Sequence, residues 1–347
     1  MSLKQKTISG LKWSFLDNTV NYGIQFIFGL ILARLLDPKE WGLIGMLTFF
    51  IAISQSFIDS GFSQALIRKS NCTNSDYSTV FFFNLAVGVL FYFILFFSAG
   101  PISRFYKEPQ LFLLLRVLGL VLLINAATII QRTILTKNIN FKLQTKISII
   151  ASLSSGAISI ILAYKGFGVW SLAIKTIAQN LITSVLLWIW NRWMPIIIFS
   201  KASFREMYGF GYKLLLSGLI STIFRNVYYL IIGKFFSATE LGYYSRSDQF
   251  TNIPSSNITS VIQRVSYPVL SSLQNDALKL KKGYQKLIKS TMFITFVLMI
   301  GMAAVAKPMI IVLIGNKWLP ALPYLQLLCF TSMLYPCLLY TSDAADE

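Results

Sequence analysis

With 347 residues, 55% of them hydrophobic and only 13% charged, and a mean hydropathy of +0.63, the chain has too few polar residues to coat a soluble domain. Its net charge of +18 is divided among short segments between apolar runs, which argues against a nucleic-acid partner. There is no histidine, and the three cysteines, Cys72, Cys329 and Cys337, have no ligand-like spacing, so zinc, histidine catalysis and a disulfide framework drop out and no cofactor is expected.

In chain order, apolar windows suited to crossing about 30 Å of hydrocarbon as α-helices fall at residues 13–33, 41–62, 79–98, 111–130, 147–164, 169–190, 214–232, 250–270, 290–314 and 319–340. Windows of this length satisfy their backbone hydrogen bonds internally, unlike the roughly ten-residue alternating segments of a β-barrel. Residues 1–12 form a short basic run without a small-residue cleavage site, so the first helix is expected to remain as an anchor.

The positions of Lys and Arg set an orientation. With a cytoplasmic N-terminus, 18 of the 31 cations lie in cytoplasmic segments and nine in the opposite loops, leaving Arg116, Lys175, Arg225 and Arg264 inside helices. The positive-inside rule therefore predicts a multi-pass membrane protein with its N-terminus in the cytoplasm. The bilayer and its anionic headgroups suffice as partners for the surplus of charge.

The chain also repeats itself. At a shift of 200 residues, LARLLDPKEWGLIGMLTFF from Leu32 lies over IGKFFSATELGYYSRSDQF from Ile232, so that Glu40 meets Glu240, Gly42 meets Gly242 and Phe50 meets Phe250. At a shift of 207, Ala99-Gly100-Pro101 meets Ala306-Lys307-Pro308. A duplicated six-helix bundle is the expected architecture. Residues 1–190 would form the first bundle, 191–213 a basic cytoplasmic linker, and 214–340 a second, incomplete bundle. Residues 337–347, CLLYTSDAADE, turn abruptly acidic and are expected to be a non-native tail.

Ionisable residues within spans are costly, by about 2.5 to 3.5 kcal/mol at mid-bilayer on insertion scales, so they are functional candidates. Ser14, Asp17, Asn21 and Gln25 share one face of the first helix; Ser217, Ser221 and Arg225 do so on the seventh, and Asn257, Ser260 and Arg264 on the eighth, where Pro254 is expected to introduce a kink. Such stripes either line a cavity or hold helices together. The candidate cavity residues are Arg225, Arg264, Lys175, Arg116, Asn21, Gln25 and Asn257, with Asp17 and Asp59 as candidates for ion coupling. Four cations against two acids suit an anionic cargo, and arginine in particular matches phosphate oxygens with a planar fork.

Several blocks carry a resemblance: SGLKWSF from Ser9, LARLLDPKEWGL from Leu32, DSGFSQALIRK from Asp59, LGYYSRSDQ from Leu241, RVSYPVLSSLQND from Arg264 and GNKWLPALPYLQLL from Gly315. Together they resemble the polysaccharide transporter (Wzx-like) family of the multidrug/oligosaccharidyl-lipid/polysaccharide (MOP) flippase superfamily. The resemblance implies an all-α polytopic fold of two pseudo-symmetric bundles, MATE-like. It also implies alternating-access transport, without enzymatic chemistry, of an undecaprenyl-pyrophosphate-linked glycan, an O-antigen, capsule, colanic- or teichuronic-type repeat unit, alongside polysaccharide assembly proteins. A cation-coupled drug exporter of the same superfamily is the nearest alternative. A membrane-bound polysaccharide polymerase or glycosyltransferase is another, but no carboxylate cluster at catalytic spacing supports it.

Overall fold

The computed structural model describes residues 20–59, 61–272 and 277–334, with the backbone alone at 256–272, 277–279 and 284. Among the described residues every regular element is helical. In order these are α1 (Val20–Leu35), α2 (Pro38–Asp59), α3 (Phe62–Arg68), α4 (Asn74–Tyr106), α5 (Gln110–Leu118), α6 (Leu120–Lys137), α7 (Phe141–Tyr164) and α8 (Val169–Asn191). They continue with α9 (Lys201–Phe235), α10 (Ala238–Ser272), α11 (Ala277–Ala304), α12 (Ala306–Leu313), a 3-10 turn (Asn316–Ala321) and α13 (Leu322–Met333).

Among the described residues, seven helical stretches are long and apolar enough to cross a membrane: Pro38–Arg68, Asn74–Tyr106, Gln110–Lys137, Phe141–Tyr164, Val169–Asn191, Lys201–Phe235 and Leu280–Ala304. They match the second to seventh and the ninth of the expected windows. The first window is described only from Val20 onward, as the 16-residue α1, and the tenth only as far as Leu334. The eighth lies within α10, which has the length to span but whose Ser, Thr, Asn, Gln and Arg content keeps it from being apolar; it is helical on both sides of Pro254.

The sequence repeat is also a repeat of local structure. α1 ends at Leu35 and α2 begins at Pro38, while α9 ends at Phe235 and α10 begins at Ala238, each 200 residues later. Leu36 N donates to Leu32 O at 2.8 Å and Phe236 N to Ile232 O at 3.0 Å, closing the two helix ends in the same way. The new helices start with the two halves of a capping box. In the first copy the Glu40 carboxylate accepts from Asp37 N at 2.8 Å, and in the second Ser237 Oγ accepts from Glu240 N at 3.1 Å.

Small residues let these helices pack closely. A Cβ on Gly42 would lie 1.6 Å from the carbonyl oxygen of Ala238, so α2 touches the backbone at the start of α10. A Cβ on Gly156 would meet the Phe28 ring at 2.6 Å, which brings α7 against α1. Elsewhere Phe62, Ala65, Leu66, Val80, Phe81, Ile130 and Met207 form one buried cluster that joins α3, α4, α6 and α9.

The chain divides into two compact units at Leu241/Gly242. The expected linker, 191–213, lies in the first of them, partly as extended chain and partly as the opening turns of α9. Its backbone is strapped down: Ile196 N donates to Ser78 Oγ and Ser200 N to Thr79 Oγ1, each at 3.0 Å, and Gln131 Nε2 donates to Trp193 O at 2.8 Å. In the second unit Trp318 is fully buried beside Tyr243, and Gln326 Nε2 donates to Ala303 O, which fastens α13 to α11.

Lys69, in the turn between α3 and α4, bridges two helices. Its Nζ lies 2.9 Å from Glu206 Oε2 on α9 and 3.1 Å from Asp76 Oδ2 on α4. The hydrogen bond to Glu206, followed by the contributions of Asp76, holds the Lys69 ammonium above its ordinary pKa despite the opposing effect of burial. A cation whose pKa is raised by folding stabilises the fold below its unfolded value, about 10.4, and loses that contribution as pH rises through the folded value. Lys69→Gln is therefore expected to melt below the wild type at neutral pH, with the gap closing only above about pH 10. Thermal melts across pH check this; a gap that persists unchanged into strong alkali would rule out the bridge as its source.

Candidate functional site

Three helices and the short α3 line an open cavity of about 510 Å3 in the first unit, at which Asp59, Gln64 and Arg132 are exposed. α6 supplies Asn125, Thr128, Ile129, Arg132, Thr133 and Thr136, a spacing of three and four residues that keeps all six on one helical face. α2 supplies Gln55, Ser56 and Asp59, α3 adds Ser63, Gln64 and Ile67, and α8 contributes Asn180. Gly61, with φ of 69°, makes the turn between Asp59 and α3, a left-handed conformation that glycine adopts without strain.

The wall is mostly amide and hydroxyl. Asn125 Nδ2 donates to Gln55 Oε1 at 3.0 Å, linking α6 to α2, and Ser56 Oγ and Thr222 Oγ1, 2.9 Å apart, link α2 to α9. Thr133 and Thr136 donate their hydroxyl protons to the carbonyls of Ile129 and Arg132 at 2.8 and 3.0 Å; Thr136 Oγ1 also accepts from Gln144 Nε2 at 3.0 Å, while Thr133 Oγ1 keeps its lone pairs as acceptors. The Ser63 hydroxyl oxygen is buried without a hydrogen-bond partner among the described residues, a state that a polar ligand in the cavity would relieve. Asp59 and Arg132 put one carboxylate and one guanidinium on the same wall. No group of acidic or cysteine side chains suited to a metal ion occurs among the described residues.

The expected site residues are distributed as follows. Asp59 lines the cavity. Asn21, on α1, accepts from Ser152 Oγ at 3.2 Å, and Gln25 is half-buried one turn further on. Lys175 is half-buried on α8 and Arg225 is exposed on α9. Arg116 lies between the rings of Phe96 and Phe112, away from the cavity wall. Asp17 and the side chains of Asn257 and Arg264 lie outside the described residues. Sequence reasoning missed Gln55, Asn125, Asn180 and above all Arg132, which it placed in a loop because the apolar window closed at Ile130, whereas α6 continues to Lys137. The periodic Asn125–Thr136 row was the signal available.

A family model described as polysaccharide biosynthesis protein matches residues 31–323. The chain belongs to the polysaccharide biosynthesis protein family. It is 27% identical over 335 residues to the teichuronic acid biosynthesis protein TuaB of Bacillus subtilis (strain 168), across 96% of this chain and 69% of that protein. To the lipopolysaccharide biosynthesis protein WzxC of Escherichia coli (strain K12) it is 26% identical over 340 residues, across 96% and 68%. Among solved structures it is similar to the lipid II flippase MurJ in an inward closed conformation, with a TM-score of 0.67 at 15% identity, covering 95% of this chain and 76% of that one. It is also similar to an outward-facing MATE family transporter of the MOP superfamily, with a TM-score of 0.52 at 16% identity, covering 94% and 79%. At such identities the likeness is one of fold. The chain is thus an all-α, multi-pass membrane protein of the polysaccharide biosynthesis protein family.

Proposed function

We propose that the chain flips an undecaprenyl-pyrophosphate-linked oligosaccharide across the bacterial inner membrane, with its N-terminus in the cytoplasm, by alternating access of the bundles formed by residues 1–190 and 214–340. The observation that carries this reading is the polar cavity inside an apolar bundle. Amide and hydroxyl groups exposed to a cavity in a hydrocarbon environment are costly unless something polar occupies it. A sugar ring, with many donors and acceptors and no charge, matches a wall of Gln55, Gln64, Asn125, Asn180, Ser63 and threonine hydroxyls. A drug exporter for amphiphilic cations would be better served by acids and aromatic rings.

In this reading Arg132 attracts the pyrophosphate as the headgroup enters, and Arg225, Arg264 and Lys175 receive it along the path, while Asn21, Gln25 and Asn257 contact sugar. Asp59, with Asp17, takes the coupling cation. The isoprenoid tail stays in the bilayer throughout.

The test is transport of a fluorescent polyprenyl-pyrophosphate-linked glycan in proteoliposomes. Loss of a charge-assisted phosphate contact lowers affinity by about tenfold to a hundredfold, so Arg132→Gln is expected to slow flipping at low cargo by that factor. Asp59→Asn is expected to remove the dependence on a cation gradient while gradient-free equilibration continues. Wild-type flipping by Arg132→Gln would sink the assignment of that residue and, with it, the cavity as the headgroup's route.

A further inference from the structure

The end of α4 and the start of α5 form a second polar feature, distant in chemistry from the sugar-like cavity. Arg116 is half-buried with its guanidinium carbon 4.0 Å from the ring centroids of both Phe96 and Phe112. Its Nε donates to Phe96 O at 3.4 Å. Two rings therefore pack against the guanidinium and its Nε is used, while its Nη atoms have no hydrogen-bond partner among the described residues. Arg104 is exposed, and its Nη2 and Phe112 Cε2 come within 3.8 and 4.0 Å of the same point beside Gly100. Phe112 thus packs against Arg116 and, with Arg104, flanks Gly100 on α4.

The surroundings are cationic. Lys107 is exposed in the turn, and Lys234 Nζ donates to Phe105 O at 2.6 Å from over the Phe105 ring. The one carboxylate of the turn, Glu108, is engaged by Lys39 at 3.1 Å. Arg116 is six residues into α5, about 9 Å along the axis at ~1.5 Å per residue, near where a headgroup meets its acyl chains. From there a lipid-facing apolar row continues toward mid-bilayer along Phe97, Phe93 and Val89 on α4, exposed by 73%, 51% and 39%.

We propose that Arg116 and Arg104 bind the phosphate of an anionic lipid headgroup, at the membrane face where α4 ends, with the tail lying along Phe97 and Phe93. An unpaired guanidinium facing hydrocarbon is costly, and a phosphate that accepts from its Nη edge removes that cost. A guanidinium binds a phosphate headgroup through charge-assisted hydrogen bonds on either face of the membrane. Stacking between two rings fixes the Arg116 fork in one plane, which favours two parallel hydrogen bonds to one phosphate. The apolar row selects a lipid over a free phosphate. This inference requires a bilayer and is independent of the cargo in the cavity.

Native mass spectrometry of the full chain, released from nanodiscs of phosphatidylglycerol or of phosphatidylcholine, tests it. The wild type is expected to retain phosphatidylglycerol in preference to phosphatidylcholine, and Arg104→Gln with Arg116→Gln to bind it about tenfold more weakly. Arg104→Gln alone, at an exposed position that folding does not need, is expected to lose part of that affinity. Arg116→Lys keeps the charge without the fork and is expected to fall between the wild type and the double variant. Equal retention by the wild type and Arg104→Gln overturns the proposal. So does displacement of phosphatidylglycerol by inorganic phosphate at equal concentration, which would make the site one for the free ion.

Discussion

Gly42→Leu is expected to prevent the first unit from closing. The Cβ of any side chain at position 42 would sit 1.6 Å from the Ala238 carbonyl oxygen and 2.5 Å from its carbon, and the obstacle is backbone, which cannot rotate out of the way. Overpacking of a close interface costs typically 1–3 kcal/mol and more where nothing yields, so a loss of about 3 kcal/mol or more is expected. The carbonyl it would displace belongs to the first turn of α10, the helix start that repeats the start of α2. The yield of monodisperse protein and its melting temperature measure the effect. Gly23→Ala is the control, since a Cβ there meets nothing within 4 Å among the described residues and alanine favours a helix by roughly 0.5–1 kcal/mol. If Gly42→Leu melts with the wild type, the close contact between α2 and the start of α10 is not present in the membrane.

The second large effect concerns function without folding. Gln55 and Asn125 share a 3.0 Å hydrogen bond on the cavity wall, and replacing both by leucine removes donor and acceptor together. Paired removal leaves no orphaned polar group, so the fold should be unchanged or slightly more stable. Hydrogen bonds between membrane helices average only about 0.6 kcal/mol, which limits what the pair contributes as glue. A sugar hydroxyl entering the leucine-lined variant would lose its partners, and sites built to hydrogen-bond a hydroxyl discriminate by large factors when the pairing fails. The double variant is expected to reach wild-type melting temperature while flipping lipid-linked glycan at least a hundredfold more slowly. Normal flipping with a lowered melting temperature would instead make the pair helix glue and remove the amides from the cargo path.

The membrane class, the helices and the duplication were all readable because they rest on local quantities. An apolar window of about 20 residues forms a helix in lipid whatever its neighbours do, since no other partner for its backbone exists there. The Asp37/Glu40 and Ser237/Glu240 pairs cap helices through contacts three residues apart, and the shift of 200 residues could be counted in the letters. α10 shows the limit of this logic. Hydropathy places 250–270 in the membrane only weakly, because its Ser, Thr, Asn, Gln and Arg residues offset the apolar ones.

The cavity was legible only in part. Asp59 stood out as a carboxylate at a span's edge, but its companions on the wall come from α2, α3, α6 and α8, up to 125 positions apart. Periodicity shows that Asn125, Thr128 and Arg132 share a face; it does not say what that face looks toward. Arg116 illustrates the opposite case. From the sequence it was one of four cations within spans and a candidate for the cavity, whereas packing puts it between Phe96 and Phe112, away from the cavity wall.

By itself, then, the sequence determined that this is a helical membrane protein built on a repeated unit, with more cations than acids in its spans. Those properties follow from composition, window length and short-range contacts. Only the tertiary structure decided which polar residues converge on one cavity and which turn toward lipid. The direction a helix face points depends on its rotation against its neighbours, and that is set by close contacts such as Gly42 with Ala238 and Gly156 with Phe28, between residues that the sequence keeps far apart.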